Sequence, residues 1–494
     1  MNVLLMTSQA AKNTAFASSE RMPPLGIGFL ISMIRRAGHA VDFVDMSVGD
    51  PFQGSLLIDK KIDLFGLYLD TMCLREGERA LLELQELREK KKWTGKIMVG
   101  GPHPTVRPED VPQFVDHVVR GEGELAVMDI LNGSAERVIQ KEFIRDLDSI
   151  PAPAWDCFVG RPYDFSCDFL PVKPIFYLNT SRGCPYRCTF CSMASIWGQG
   201  YRTFTAERIV DDIEHLVTDF DARGIFFRED NFACSKKRTQ EFCELMLKRG
   251  PRISWGCETR VDNLDQELLT LMHRAGCRGI FFGVESGSQR ILDHLCKGTT
   301  LEQIEAAFDD CRRLGIRTYA SFLFGLPEET ETEMLDTIKF SRRLQSSNQG
   351  FNIFLGFPYS KLYAQLQEEE LFDFVDESGM LYVKGHNFLV DQLMGGLPAA
   401  RIPSNGSPAK DSKFLFDKKT LSGDERKMVS RFFFRSAGKL LLRGHRTEAR
   451  RVCHSSLHYQ PSNLRTHLLL LLTFCPARLF GTIRAMQLRY LPRI

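Results

Sequence analysis

Short apolar runs alternate with longer amphipathic stretches through the first three quarters of the chain. The runs NVLLM, AVDFVD, DLFGLYL, KIMVGG and DHVVRGEG are strand-length and rich in β-branched or aromatic residues. Between them, 25–37 and 76–91 carry apolar positions at helical spacing. This alternation predicts an α/β fold for residues 1–140: a Rossmann-like (flavodoxin-like) parallel sheet with helices on both faces. Such a sheet takes its ligand at the carboxyl ends of its strands. The pattern returns over 175–375 with six runs, IFYLNTS, GIFFRED, RISWGCE, RGIFFGVE, TYASFLFG and NIFLGF. Helices are predicted over 206–220, 236–249, 265–275 and 330–344. Six βα units predict a partial (β/α)6 TIM-type barrel, with its chemistry at the carboxyl ends of the strands.

Two stretches break the alternation. Residues 141–174 hold Pro151, Pro153, Pro162, Pro171 and Pro174 around the aromatic PAPAWDCFVGRPY, which marks a Pro-rich linker or a wrapping segment. Residues 376–494 begin with a Pro/Ser/Gly-rich loop over 395–413 and continue as basic, Leu-rich segments. A mostly α-helical C-terminal region is expected there.

The 494 residues are 43% hydrophobic and 26% charged, which excludes collagen-like, disordered and miniprotein classes. No apolar run approaches the roughly 18 residues of a membrane span, and no signal peptide opens the chain, so a cytoplasmic protein is expected. The net charge of +2 conceals an asymmetry. Residues 401–494 hold 19 Lys+Arg against 5 Asp+Glu, whereas the preceding 400 hold 45 against 57. The basic end, HLLLLLTFCPARLFGTIRAMQLRYL with Arg478, Arg484 and Arg489 interleaved, fits either a helix pair closing the barrel or peripheral contact with a membrane surface.

Fourteen cysteines without a secretion signal argue against a disulfide scaffold. Eleven are scattered, and several in strand-like contexts read as buried small hydrophobes. The other three, Cys184, Cys188 and Cys191, sit at C-x3-C-x2-C spacing in SRGCPYRCTFCSM, directly after the first strand of the second series. Three thiolates can hold three irons of a cubane and leave the fourth open, since such clusters otherwise take four cysteines. A structural zinc site wants four ligands, and no second pair stands nearby.

This triad, in the loop after the first strand of a βα series, resembles the radical S-adenosylmethionine (SAM) superfamily, and Phe190 before the last cysteine fits the same pattern. The resemblance implies a [4Fe-4S] cluster on the triad whose open iron chelates SAM, and reductive cleavage to a 5′-deoxyadenosyl radical. FFREDNF, WGCETRVD, FFGVESGS and SFLFGLPEET at later strand ends are similar to the family's SAM-contacting motifs. They make Glu229 and Asp230 candidates for the SAM ammonium, Arg260 for its carboxylate and Glu285 for its ribose, with Glu258 and Ser286 alongside. Each also fits a cap or a structural ion pair at a barrel rim. Residues 1–140 resemble the cobalamin-binding domain of one branch of that superfamily. The resemblance rests on Pro24, Leu25 and Gly26 at the start of a helix, on Gly100, Gly101 and His103 in VGGPHPTVRPED, and on Gly121, Glu122 and Gly123 in VVRGEGE. No G-x-G-x-x-G follows the first strand, which disfavours a dinucleotide. The D-x-H-x-x-G motif of cobalt-ligating mutases is also absent, and the lower face of cobalt is left without an evident ligand.

The expectation is therefore a cobalamin-dependent radical SAM enzyme. Methylation of an unactivated carbon in a biosynthetic intermediate leads, with a non-methylating oxidoreductase or cyclase as the alternative. A binding protein without turnover sits badly with an intact triad. The resemblance implies a small-molecule substrate and an electron donor such as flavodoxin or ferredoxin. No nucleic-acid module is present, and the missing second cysteine triad disfavours a methylthiotransferase.

Overall fold

The computed structural model describes residues 1–8, 21–375, 379–384, 415–442 and 445–474. Alternate residues of the first strands face opposite sides, as a pleated sheet requires. Leu4, Met6, Phe65, Leu67, Ile97 and Val99 enter one core with Leu81 and Leu84 of the helix Leu74–Glu89. Val3, Leu5, Leu64 and Met98 enter the other, with Ile27, Ile31 and Ile34 of the helix Leu25–Arg36. The strands are β1 (Asn2–Thr7), β2 (Ala40–Asp45), β3 (Leu64–Tyr68), β4 (Lys96–Gly100), β5 (His117–Arg120) and β6 (Val138–Gln140). They form one parallel sheet in the order β2-β1-β3-β4-β5-β6. The order reverses between β1 and β3, the point at which a doubly wound sheet opens a crevice for a ligand.

The second sheet is also parallel and six-stranded, in the order β14-β13-β12-β11-β10-β7. Its strands are β7 (Ile175–Leu178), β10 (Gly224–Phe227), β11 (Ser254–Thr259), β12 (Cys277–Glu285), β13 (Arg317–Phe324) and β14 (Asn348–Ile353). Among the described residues β7 and β14 do not pair, so the barrel is open. A short antiparallel hairpin, β8 (Ser181–Arg182) with β9 (Arg202–Thr203), brackets the cysteine loop. The sequence pattern does not show this hairpin. It also places the last barrel strand at NIFLGF, whereas β14 starts four residues earlier, at Asn348. An edge strand needs backbone pairing on one side only, here Tyr319 with Asn348, so its polar start carries no hydrophobic signal. Helices begin one residue inside the predicted spans where a cap sits. Asp265 caps Gln266–Arg274, and Thr330 closes a capping box with Glu333 on Glu331–Arg343.

The Pro-rich segment is a wrapping segment with a core of its own residues. Trp155, Phe158, Tyr163, Phe169 and Leu170 are buried in the cluster that also holds Leu5 and Phe29 of the first sheet domain and Phe176 and Phe226 of the barrel. Trp155 meets Phe158 edge-on at 5.9 Å and Phe176 at 5.1 Å. Tyr163 donates its hydroxyl to Asp45 at 2.6 Å. Both sheet domains and the segment between them thus share one core, which fixes the two sets of strand ends relative to each other.

The helices Gly423–Leu442 and Arg446–Tyr459 pack on the β13–β14 side, with Phe432 against Phe351 at 4.9 Å and Phe324 at 5.6 Å. The loop over 395–413 and Arg478, Arg484 and Arg489 lie outside the described residues. Among those described, no helix is long and apolar enough to cross a membrane. Cys73, Cys243, Cys257, Cys277, Cys311 and Cys453 are buried and free, as small hydrophobes should be.

Candidate active site

Cys184, Cys188 and Cys191 occupy the loop between β8 and the helix Met193–Trp197, all three half-buried and free. The loop is fixed from within and from outside. Cys191 N–H donates to the Cys188 carbonyl at 3.2 Å, and Thr189 exchanges backbone bonds with Leu295 and Leu362 at 3.0 and 2.8 Å. Gly183 opens the loop at φ +84°, and a Cβ there would stand 2.3 Å from the Gly200 carbonyl, so only glycine fits. Arg260, from the end of β11, donates to Cys188 Sγ at 3.5 Å and lies 3.8 Å over the Tyr186 ring. Burial raises the Cys184 thiol and pushes that of Cys191 up to about 11. Coordination to a metal would replace those protons.

No three His, Cys, Asp or Glu side chains among the described residues converge as ligands of one metal ion. That disfavours zinc. It does not conflict with a cubane, because three thiolates bound to three different irons stand farther apart than ligands of one ion. An all-thiolate set on one rigid loop with an arginine donating to it fits a [4Fe-4S] cluster.

A cavity of about 530 Å³ lies between the two sets of strand ends. One wall belongs to the first sheet domain: Pro24, Leu25, Gly26, Gly66, Tyr68, Gly100, Gly101, Gly121, Glu122 and Gly123 all line it. Six glycines line this wall; at Gly66, Gly101 and Gly123 an added Cβ would press on Leu5, Leu69 and Leu30, so glycine there permits close packing of the wall itself. At Gly26 a Cβ would meet nothing within 4 Å, so the space beyond it is open cavity. At Gly101, φ is +117° and a Cβ would stand 2.5 Å from the Leu69 carbonyl. The helices Leu25–Arg36 and Gly123–Leu131 begin on this wall, and neither has a side-chain cap. Their first N–H groups therefore remain to be satisfied by something else. A broad planar ring with amide arms, such as cobalamin, fits this wall.

The opposite wall comes from the barrel: Tyr177, Asn179, Ser181, Arg182, Glu229, Asp230 and Glu258. Asp230 is accessible from the cavity and accepts from Gly183 N–H. Desolvation between the walls and then the neighbouring Glu229 lift it to about 6.

The predicted residues divide by their partners. Asp230 and Glu258 line the cavity. Glu229 lines it too, but its carboxylate accepts from Thr180 N–H at 2.6 Å and Thr180 Oγ1 at 2.9 Å, and faces Arg238 at 3.5 Å. Glu285 is paired with Lys297 at 2.8 Å, and Lys297 lies 5.8 Å from the Phe190 ring. Arg260 is chelated by Asp262 at 2.9 Å. Ser286 faces Thr337 at 3.2 Å. His103 is not on the cavity wall. It is buried, with Nδ1 on Thr71 Oγ1 and Nε2 on Asp110 Oδ2, both at 3.2 Å, so neither ring nitrogen is left for cobalt.

Glu122 has a second set of partners that the sequence does not announce. It pairs with Arg182 at 2.8 Å and Arg202 at 2.7 Å, and accepts from Ile144 N–H at 2.6 Å. Arg182 also pairs with Glu124 at 2.5 Å. This buried set ties the cavity wall of the first domain to the β8–β9 hairpin beside the cysteine loop.

Both sheet domains are similar to known proteins. Residues 178–341 match the model of the radical SAM superfamily, and residues 15–131 match that of the B12 binding domain. An uncharacterized methyltransferase of Pyrococcus horikoshii is 30% identical over 368 residues, covering 69% of this chain and 78% of that protein. An anaerobic magnesium-protoporphyrin IX monomethyl ester cyclase of Rubrivivax gelatinosus is 28% identical over 386 residues, covering 71% and 68%. Among solved structures, the cobalamin-dependent SAM radical enzyme OxsB with aqua-cobalamin and SAM bound shares the fold, with a TM-score of 0.67, 18% identity and coverage of 96% and 83%. The SAM methyltransferase TsrM from Kitasatospora setae does so at a TM-score of 0.59, 18% identity and coverage of 74% and 75%.

Proposed function

From the premise that this chain belongs to the radical SAM enzymes carrying a B12-binding domain, with a [4Fe-4S] cluster, SAM and cobalamin as its cofactors, we propose that it methylates an unactivated carbon of a small-molecule biosynthetic intermediate. The observation that carries this reading is the single cavity whose glycine wall and carboxylate wall face each other. With the cofactors bound, the cluster and SAM supply a 5′-deoxyadenosyl radical and cobalamin supplies a methyl group.

The chain's own residues position and insulate. Cys184, Cys188 and Cys191 would hold the cluster, and Arg260, which donates to Cys188 Sγ, would offset its charge. Asp230 and Glu258 meet the polar groups of SAM from the barrel wall. The rise in the Asp230 pKa is lost when a cation docks beside it, which favours the charged carboxylate. Gly26, where an added Cβ would enter the cavity, would admit the corrin close to the backbone, and Pro24, Leu25, Gly100 and Gly101 of the same wall would hold it. The buried set Glu122–Arg182–Glu124 keeps the two walls in register, so that a substrate between them meets both reactive groups without water. An electron donor such as a flavodoxin or ferredoxin completes the system.

The cyclase relative supports a second reading, radical cyclisation or oxidation without methyl transfer. The products of SAM separate the two. Reconstituted enzyme incubated with reductant, SAM and a cell extract as substrate source is analysed for both nucleosides. S-adenosylhomocysteine formed together with 5′-deoxyadenosine supports methyl transfer. 5′-Deoxyadenosine alone supports the second reading, and neither product sinks both.

A further inference from the structure

The helix Leu464–Leu472 is apolar on two sides: Leu469, Leu470 and Leu472 pack against the C-terminal core, and a second set of leucines faces out. Its exposed side carries Leu464, Leu468 and Leu471, which are 80%, 65% and 66% exposed, with Phe474 following at 62%. At 100° per residue, positions 464, 468 and 471 lie within a narrow stripe. Its inward side also carries threonines. Thr466 is fully buried and faces Ser456 Oγ at 3.0 Å, and Ser456 in turn faces Ser430 Oγ at 3.0 Å. Thr473 is 2% exposed and donates to the Leu470 carbonyl at 2.6 Å. Asn463 caps the helix and also donates to Ser430 at 3.1 Å. A helix that merely closed a core would need only the inward leucines and would carry polar residues at 464, 468 and 471.

The charge around the stripe is of one sign. Arg465, on the helix itself, is exposed, Arg450 stacks 3.7 Å over the Phe474 ring, and the last 94 residues carry 19 Lys+Arg against 5 Asp+Glu. The next residues in the sequence, CPARLFGTIRAMQLRYLPRI, continue the same mixture of large apolar residues and arginine with no acidic residue. An exposed apolar stripe flanked by cations is complementary to a bilayer surface with anionic headgroups: leucines enter the acyl boundary and arginines meet phosphate.

We propose that this helix docks the enzyme on an anionic lipid surface, with Leu464, Leu468, Leu471 and Phe474 as the inserting residues. At nine residues the described helix is shorter than a bilayer span needs, so it is placed on the surface. This assignment stands independently of the reaction the cavity performs.

The test is flotation of the full-length protein with vesicles of phosphatidylcholine alone and of phosphatidylcholine with phosphatidylglycerol. The expected result is recovery with the anionic vesicles, at least tenfold above the neutral ones, falling as salt is raised. The variant L464Q/L468Q/L471Q should lose at least tenfold of that recovery while keeping the melting temperature and iron content of the wild type, since the altered side chains face outward. Equal flotation of variant and wild type would overturn the proposal. So would absence of flotation by the wild type, with two distinguishable alternatives. A dimer that the triple variant dissociates would assign the stripe to a second copy of the chain. Flotation gained only when the chain is shortened to end at Phe474 would assign it to residues 475–494.

Discussion

Arg182 and Glu124 meet at 2.5 Å in the buried space between the two sheet domains, two residues before the first cysteine of the cluster loop. Among the described residues Glu124 pairs with Arg182 alone, whereas Glu122 also holds Arg202. Arg182→Ala is therefore expected to leave Glu124 charged and unpaired. The cost is about 3–5 kcal/mol, the usual penalty for breaking one side of a buried pair. Equilibrium denaturation of the apoprotein measures it, and Arg182→Ala with Glu124→Gln should recover part of the loss.

Two glycines of the cavity wall separate folding from binding. Gly26→Leu places a side chain in open cavity, where its Cβ meets nothing. Stability should stay within about 0.5 kcal/mol of wild type, while affinity for hydroxocobalamin falls at least tenfold. Gly101→Ala forces a Cβ to 2.5 Å from the Leu69 carbonyl at φ +117° and should destabilise the fold by about 1–3 kcal/mol. Thermal melting and equilibrium dialysis of both variants check the contrast.

Glu329 gives the chain a pH dependence. Burial pushes its carboxyl up to about 8, against the pull of the Leu326 and Gly325 N–H groups, and its Oε1 has no partner. Between the usual carboxylate pKa and about pH 8 the folded state keeps a proton that the unfolded state releases, so stability falls as pH rises through that window and levels off above it. The loss is on the order of 1–4 kcal/mol. Glu329→Gln should flatten the curve, as urea melts at pH 5, 7 and 9 would record.

The cysteine triad stands out in the sequence because its pattern is local: three cysteines within eight residues need no distant partner to be noticed. The strand alternation was equally plain, since both sheets are parallel and buried on both faces. What the sequence hides is long-range pairing. Glu229 and Glu285 read as ligand contacts, but Thr180, Arg238 and Lys297 engage them, and none of these partners stands out in the motifs. His103 stands in a glycine-rich loop, yet Thr71 and Asp110 turn it away from the cavity. The prolines of 141–174 fit a linker or a wrapping segment equally, and it is Trp155 and Phe158, buried in the shared core, that make it the second. The leucines at 464–472 are alike by composition, yet Leu469, Leu470 and Leu472 join the core beside the buried Thr466 and Thr473 while Leu464, Leu468 and Leu471 face out.

Replacing any one of Cys184, Cys188 and Cys191 by Ala should remove SAM cleavage altogether, because the remaining thiolates cannot hold three irons. Assay of 5′-deoxyadenosine under reducing, anaerobic conditions checks this, and a variant with wild-type turnover would sink the cluster assignment.

The central claim is that one cavity serves two cofactors held by separate walls. Its most direct test counts iron and cobalt per chain after anaerobic loading with iron, sulfide and hydroxocobalamin, followed by desalting. Wild type should retain about four irons and one cobalt. The triple Cys→Ala variant should keep the cobalt and lose the iron, and Gly26→Leu should do the reverse. A folded wild type that retains no iron, or a Gly26→Leu variant that retains cobalt as wild type does, would contradict the account.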